Sequence, residues 1–157
     1  MLAWQFAKME EFSSREWYEV TVAREAVFVV EQDCAFLDAD GADPECWHLV
    51  GRLGAEVAAY CRIVPPGLKF AEPSIGRVLT TGAGRGTGAG RALMDEAIAR
   101  CERLFPGRPI RIGAQQYLER FYGGFGFATV SEPYDEDGIP HVTMLREPPG
   151  KMTKGQS

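Results

Sequence analysis

Apolar and polar positions alternate at the start of the chain, where Leu2, Trp4 and Phe6 are separated by Ala3, Gln5 and Ala7. A period of two predicts a strand with one buried face. Ser13, with Glu16 three residues later, forms a capping box, after which Trp17, Val20, Arg24 and Val27 recur near helical spacing. The end of that helix, Val27-Phe28-Val29-Val30, is rich in β-branched residues and leaves the boundary open. Residues 34–45 include Asp38, Asp40, Gly41, Asp43 and Pro44 and read as an acidic loop or a very short helix. Two strands follow, 48–53 and 57–64, around a turn at Gly54-Ala55-Glu56.

A further strand at 75–81 leads through a glycine cluster into a strongly amphipathic helix. Leu93, Met94, Ala97, Ile98, Cys101 and Leu104 hold one face of it, and Asp95, Glu96, Arg100 and Arg103 the other. Pro106-Gly107 stops that helix. The remaining pattern predicts a strand at 108–114, a short helix at 117–125, and strands at 128–133 and 141–146. Residues 1–147 form one domain on this reading, and 148–157 a mobile tail. The order β-α-β-β-β-α-β-α-β-β is an α/β (α+β) pattern, with antiparallel hairpins first and a strand-helix-strand crossover in the middle.

Composition narrows the partners. With 157 residues, 45% of them hydrophobic, the chain suits a single core, and the net charge of -5 disfavours nucleic acid or an anionic membrane surface. A small cationic or neutral partner fits better, and a homodimer is allowed. No run approaches membrane-spanning length and the N-terminus lacks a secretory pattern, so the expected location is the cytoplasm. Cys34, Cys46, Cys61 and Cys101 are scattered, without zinc-ligand spacing to His48 or His141. No metal is expected, and the thiols should be reduced.

The segment Arg85-Gly86-Thr87-Gly88-Ala89-Gly90 carries the chemistry, because it lies between a strand and a helix N-terminus. Unpaired N–H groups and partial positive charge suit such a place to phosphate, provided side chains do not block the approach. Three designs compete. The mononucleotide loop fails because Arg91-Ala92 follows Gly90 where Lys-Ser/Thr is needed. The dinucleotide fingerprint is met formally by Gly84 to Ala89, but the next strand ends in Gln115-Gln116 without an acid for the ribose. The third design, R/Q-x-x-G-x-G/A, is matched in register by Arg85, Gly88 and Gly90.

That third loop resembles the pyrophosphate loop of the GNAT superfamily of acyl-CoA-dependent N-acyltransferases. Within it, the chain is similar to the ElaA subgroup through Arg24 with Val27 to Gln32, Asp38-x-Asp40-Gly41, His48, Ile75-Gly76-Arg77-Val78, Gly113-Ala114-Gln115, Phe121-Tyr122-x-x-Phe125-Gly126-Phe127 and the segment Tyr134 to His141. The resemblance implies a GNAT fold: a mixed sheet of about seven strands, splayed between strands 4 and 5 and flanked by about four helices. It implies acetyl-CoA as donor and a small-molecule or peptide amine as acceptor. The pyrophosphate would meet Arg85, Gly86, Thr87, Gly88, Ala89, Gly90 and Arg91, and the pantetheine arm main-chain groups of Val78, Leu79 and Thr80. Tyr122, in Y-x-x-x-G-F spacing, would meet the leaving thiolate. Glu31 and His48 are the catalytic candidates on the amine side, with Glu132 and His141 also weighed as bases. A non-catalytic acyl-CoA sensor of the same fold is the alternative. Gly82-Ala83-Gly84, unusual for the superfamily, suggests a loop more mobile than average.

Overall fold

The structure is a computed structural model that describes residues 1–149. Eight strands occur among them: β1 (Ala3–Lys8), β2 (Trp47–Leu53), β3 (Glu56–Val64), β4 (Ser74–Thr80), β5 (Ile110–Gln115), β6 (Ala128–Thr129), β7 (Tyr134–Glu136) and β8 (Ile139–Arg146). Three helices accompany them, α1 (Ser14–Arg24), α2 (Ala89–Leu104) and α3 (Glu119–Gly123). From residue 150 the expected tail lies outside the described residues.

The strands form two four-stranded sheets. The first runs β1-β2-β3-β4, and the second runs β5-β8-β6 with β7 also on β8. Every ladder within them is antiparallel. β4 and β5, joined by the α2 crossover, touch at their beginnings, where Arg111 N–H donates to Pro73 O at 3.0 Å and the Arg111 side chain pairs with Glu72 at 2.8 Å. Beyond that start they share no ladder. The sheet therefore opens as a cleft toward the ends of β4 and β5, as expected for strands 4 and 5.

Both faces of the first sheet are covered, which explains the nearly unbroken apolar run of β3. Leu49, Cys61, Ile63 and Ile75 meet Leu93, Met94, Ala97 and Cys101 of α2. The same helix reaches Ile110, Ile112 and Met144 of the second sheet, so one apolar stripe bridges the split. On the other face Val50, Tyr60 and Leu79 pack against Val20, Ala23 and Val27.

Local chemistry explains the helix ends. Ser13 caps α1: its Oγ accepts from Glu16 N–H at 3.1 Å, and Glu16 Oε1 accepts from Ser13 N–H at 2.8 Å. The β-branched run does not become a strand. Instead α1 continues as a π-helix over Glu25–Glu31, with Gln32 N–H donating to Val27 O and Cys34 N–H to Val29 O. Crowding among Val27, Val29 and Val30 disfavours the tighter α turn, and wide turns of this kind are frequent beside functional sites.

The structure changes three expected elements. The strand expected at 128–133 is two residues long, Ala128–Thr129. An additional strand, β7, pairs with β8 around Asp137-Gly138, both at positive φ. Three helices stand among the described residues where the resemblance implied about four, and residues 9–11, 43–45 and 116–118 form short 3-10 turns.

Candidate active site

A cavity of about 600 Å³ occupies the cleft between β4 and β5. One wall is β4 itself; Gln115 and the aromatic start of α3 form the other, the π-helix overlies them, and the β7–β8 hairpin closes one end. Two contacts span the cleft: Gln115 Nε2 donates to Gln32 Oε1 at 3.3 Å, and the Cys34 thiol to Asp137 O at 3.3 Å.

The β4 wall is irregular where chemistry would need it. Tyr60 is opposite Leu79 and Arg62 opposite Gly76, so Arg77 and Val78 together face Cys61 in a bulge. Arg77 sits there at φ +51°, a left-handed conformation uncommon for a residue with a side chain. Its guanidinium is held by Asp38, Nε to Oδ1 at 2.9 Å and Nη2 to the main-chain O at 2.9 Å. Val78, Leu79 and Thr80 all line the cavity.

The glycine loop lies at the cavity's other end. Gly86 and Gly88 have φ of +76° and +82°, and a Cβ on either would enter open space. Gly88 caps α2, and Ala92 N–H is the first to turn back, onto Gly88 O, leaving the N–H groups of Ala89, Gly90 and Arg91 ahead of the helix's bonding pattern. This cradle fits an anion. The loop is also pinned rather than loose: Gly84 and Arg85 N–H both donate to Thr81 O, Thr87 Oγ1 donates to Gly84 O, and a Cβ on Gly84 would come within 2.2 Å of Ala58 O. The expectation of unusual mobility from Gly82-Ala83-Gly84 finds no support in that packing. Of the two arginines, Arg85 donates to Glu31 Oε1 at 2.5 Å and to Thr80 O at 3.0 Å, while Arg91 lies over the Phe125 ring.

Tyr122 lines the cavity from α3 and is 6% exposed, packed edge-on against Phe121 and Phe127. Burial raises its phenol pKa well above the ordinary value, so the hydroxyl is a proton-bearing donor. No group among the described residues hydrogen-bonds it.

The amine-side candidates separate. Glu31 lines the cavity, but its carboxylate is engaged by Arg85. His48 does not line it. Its place in β2 shares the parity of Val50, which turns it to the α1 face of the sheet, fully buried against Phe12 and Trp17. Nε2 donates to Asp43 O at 3.0 Å and Nδ1 accepts from Tyr60 OH at 2.6 Å, so both nitrogens are used. Burial above all keeps its pKa below the ordinary histidine value. This geometry makes His48 structural and takes it out of reach of a substrate in the cavity. Glu132 is exposed outside the cavity, whereas His141 is buried within its lining.

The acidic segment proves to be part of an ion network rather than a solvated loop. Asp38 binds Arg24 at 2.7 Å and Arg77 at 2.9 Å; Asp43 binds Arg24 and Arg62, each at 2.9 Å; Asp40 binds Arg62 at 2.5 Å. The hydrogen bonds from Arg62 hold the Asp40 carboxyl well below the usual range. Asp43 is held low as well, because Arg24 and Arg62 outweigh its burial. The network ties α1, the 33–46 segment and β3 to the β4 bulge.

Cysteine nucleophiles find no setting. Cys46, Cys61 and Cys101 are buried, and burial pushes the thiols of Cys46 and Cys101 up to about 11 and about 12. Cys34 reaches the cavity, but its thiol proton is directed at Asp137 O. Among the described residues no His, Cys, Asp and Glu group could hold a metal, and no helix is long and apolar enough to cross a membrane.

The chain is similar to known proteins in sequence and in fold. Residues 66–148 match the family described as Acetyltransferase (GNAT) domain. A Synechocystis protein, UPF0039 protein sll0451, is 43% identical over 93% of this chain and 96% of its own length. Protein ElaA of Escherichia coli is 40% identical over 94% of this chain and 97% of its own. The ElaA crystal structure gives a TM-score of 0.87, covering 94% of this chain and 100% of that one. An acyl-CoA N-acyltransferase structure from Pseudomonas aeruginosa gives 0.88 at 36% identity, covering 93% of this chain and 99% of that one.

Proposed function

This chain belongs to the GNAT superfamily of acetyltransferases, close to ElaA, and from that premise we propose that it transfers acetyl from acetyl-CoA to a primary amine by direct attack. The observation that carries the reading is a single cavity that joins the β4 bulge and Tyr122 and reaches the anion cradle at its two ends, Arg85 and Gly90.

Each part has a role in this reading. The N–H groups of Gly86, Gly88, Ala89, Gly90 and Arg91 hold the pyrophosphate of the donor, with no side chain on Gly86, Gly88 or Gly90 in the way, while the Thr87 N–H is donated to Gly84 O. The free edge of β4, unpaired because β5 diverges, offers main-chain groups of Val78 and Thr80 to the pantetheine amides. An N–H at Val78 or Leu79 polarises the thioester carbonyl and stabilises the oxyanion. Tyr122 hydrogen-bonds the leaving sulfur; full transfer from a phenol, ordinarily near ~10, to a thiolate near ~8.5 is uphill, so donation accompanies C–S cleavage.

The acceptor enters from the opposite end, where exposed Phe36, Leu37 and Tyr117 meet Glu136 and Asp137. Apolar contact beside carboxylates suits an amine on an apolar body. Three buried, unpaired thiols support a reducing compartment such as the cytoplasm. The test is release of CoA thiol and an acetylated product, read by mass, across polyamines, aminoglycosides, amino acids and peptide N-termini. Acetyl-CoA binding without thiol release for any amine would make the protein a sensor of the same fold. Tight NADH binding with none for acetyl-CoA would overturn the reading altogether.

A further inference from the structure

Of the buried titratable side chains that line the cavity and that these steps leave unused, His141 of β8 stands outside the Arg62 and Asp38 ion network. Its ring is nine-tenths buried and fixed from two sides. Nδ1 lies 2.7 Å from the main-chain O of Ile139. A carbonyl only accepts, which assigns the proton to Nδ1 and leaves the lone pair of the neutral ring on Nε2. The Tyr134 ring stacks on the imidazole at 6.0 Å between centroids and fixes its plane.

Nε2 lies 3.8 Å from Oε2 of Glu136, which also lines the cavity. That is too long for a hydrogen bond, so Nε2 keeps its lone pair, but it is near enough for the carboxylate to stabilise an imidazolium once formed. The other titratable groups on the elements packed around the ring are Tyr134, Asp135 and Asp137 of the hairpin and Tyr117 of the turn after β5. The residue opposite on β5, Gln115, is neutral. The other candidates are placed less well: both nitrogens of His48 are occupied, Glu132 lies outside the cavity, and the half-exposed Glu31 carboxylate lines it but is held at Oε1 by the Arg85 guanidinium, whose charge opposes protonation there.

We propose that His141 is the base that takes the proton from the acceptor ammonium, with Glu136 as the positioning residue that steadies the charge formed on the ring. The inference rests on the acetyl-transfer reading and assigns the step which that reading leaves open. One ammonium proton passes to Nε2 and frees the nitrogen lone pair, which forms the N–C bond as the carbonyl pair moves onto oxygen. When that pair returns, the C–S bond breaks and its electrons leave with sulfur. A second proton leaves the nitrogen and ends on the sulfur, and His141 gives its proton to solvent. Ammonium and thioester thus become amide, thiol and one proton.

The test is the pH profile of amine-dependent thiol release at saturating acetyl-CoA for the wild type, His141→Gln and Glu136→Gln, with acetyl-CoA affinity measured by calorimetry. In the wild type, log kcat/KM for the amine should rise with a slope of about 1 at acid pH, where the base must lose its proton while the bound ammonium keeps its own, then break to a plateau. His141→Gln should bind acetyl-CoA as the wild type does, lose about 100-fold or more in kcat/KM, and keep a slope of about 1 throughout. Glu136→Gln, a change at the surface, should move the break to more acid pH. A His141→Gln rate within twofold of wild type, or a break that stays in place in both variants, overturns the assignment while leaving acetyl transfer intact. A wild type that releases no thiol with any amine overturns both.

Discussion

Adding one methyl group at Gly84 tests whether the anion cradle works as a fixed object. The Cβ of an alanine there would lie 2.2 Å from Ala58 O, against ordinary van der Waals contact at 3.4 Å and beyond. The obstacle is backbone of a central strand, and the same carbonyl already accepts from Thr81 N–H at 3.0 Å. Relief therefore requires the loop to move by roughly an ångström, at the overpacking cost of about 1–3 kcal/mol. In a domain of this size that is a loss of about 2–12 °C in Tm. If the displaced N–H groups are those that hold the pyrophosphate, acetyl-CoA affinity should fall about tenfold for each 1.4 kcal/mol passed on to the bound state. Gly82 is the control, with nothing within 4 Å of its Cβ position and no positive φ. Gly82→Ala should melt and bind as the wild type does. Differential scanning calorimetry and titration calorimetry on the two variants read both quantities. A Gly84→Ala protein that melts and binds acetyl-CoA like Gly82→Ala would refute the pinned cradle.

The ion network and the other site residues give further expectations. Asp43→Ala removes the carboxylate shared by the buried guanidiniums of Arg24 and Arg62, which keep Asp38 and Asp40 as partners, and should cost about 3 kcal/mol, the low end for breaking a buried pair, in urea unfolding; a loss under about 1 kcal/mol would contradict the network's structural weight. Acid should weaken the fold in two stages. His48 is held neutral by burial with its pKa lowered, so the unfolded chain binds a proton that the fold refuses, and stability declines as pH falls below about 6.5. Asp40 and Asp43, both held low, contribute stability above about pH 4 that is lost as pH falls through their folded values. Urea melts at pH 7, 5.5 and 4.5 should show His48→Gln losing the first stage, at most about 1.4 kcal/mol per pH unit; an unchanged slope would exclude His48 as its source. Glu31→Gln removes a half-exposed pair with Arg85, so Tm should hold within about 2 °C while the KM for acetyl-CoA changes more than the amine-side rate. A collapse in kcat alone would instead restore Glu31 as the base.

The parts legible in the sequence are those whose signal is local. The period of β1, the capping box at Ser13 and Glu16, the apolar stripe of α2 and the glycine loop all depend on neighbours within a few residues. β7 was legible too: Asp137-Gly138 is a strong short hairpin signal, obscured by the acidic residues around it. Long-range pairing was not. Asp38, Asp40 and Asp43 look like a solvated loop until folding brings them to Arg24, Arg62 and Arg77, up to 39 residues away in sequence. The role of His48 turned on strand parity, because a shift of one residue would have sent it to the opposite face of the sheet. Val27 to Val30 announced an unusual helix end, yet nothing in those residues distinguishes a π-helix from a strand without the cavity beneath it.

Acetyl transfer in the split between β4 and β5 is the central claim, and Tyr122→Phe tests it most directly. The hydroxyl has no partner among the described residues, so its removal should leave Tm and calorimetric acetyl-CoA affinity at wild-type values. Amine-dependent thiol release at saturating substrates should fall about 100-fold or more, since only the departure of sulfur uses that hydroxyl. Undiminished turnover in Tyr122→Phe would contradict the account.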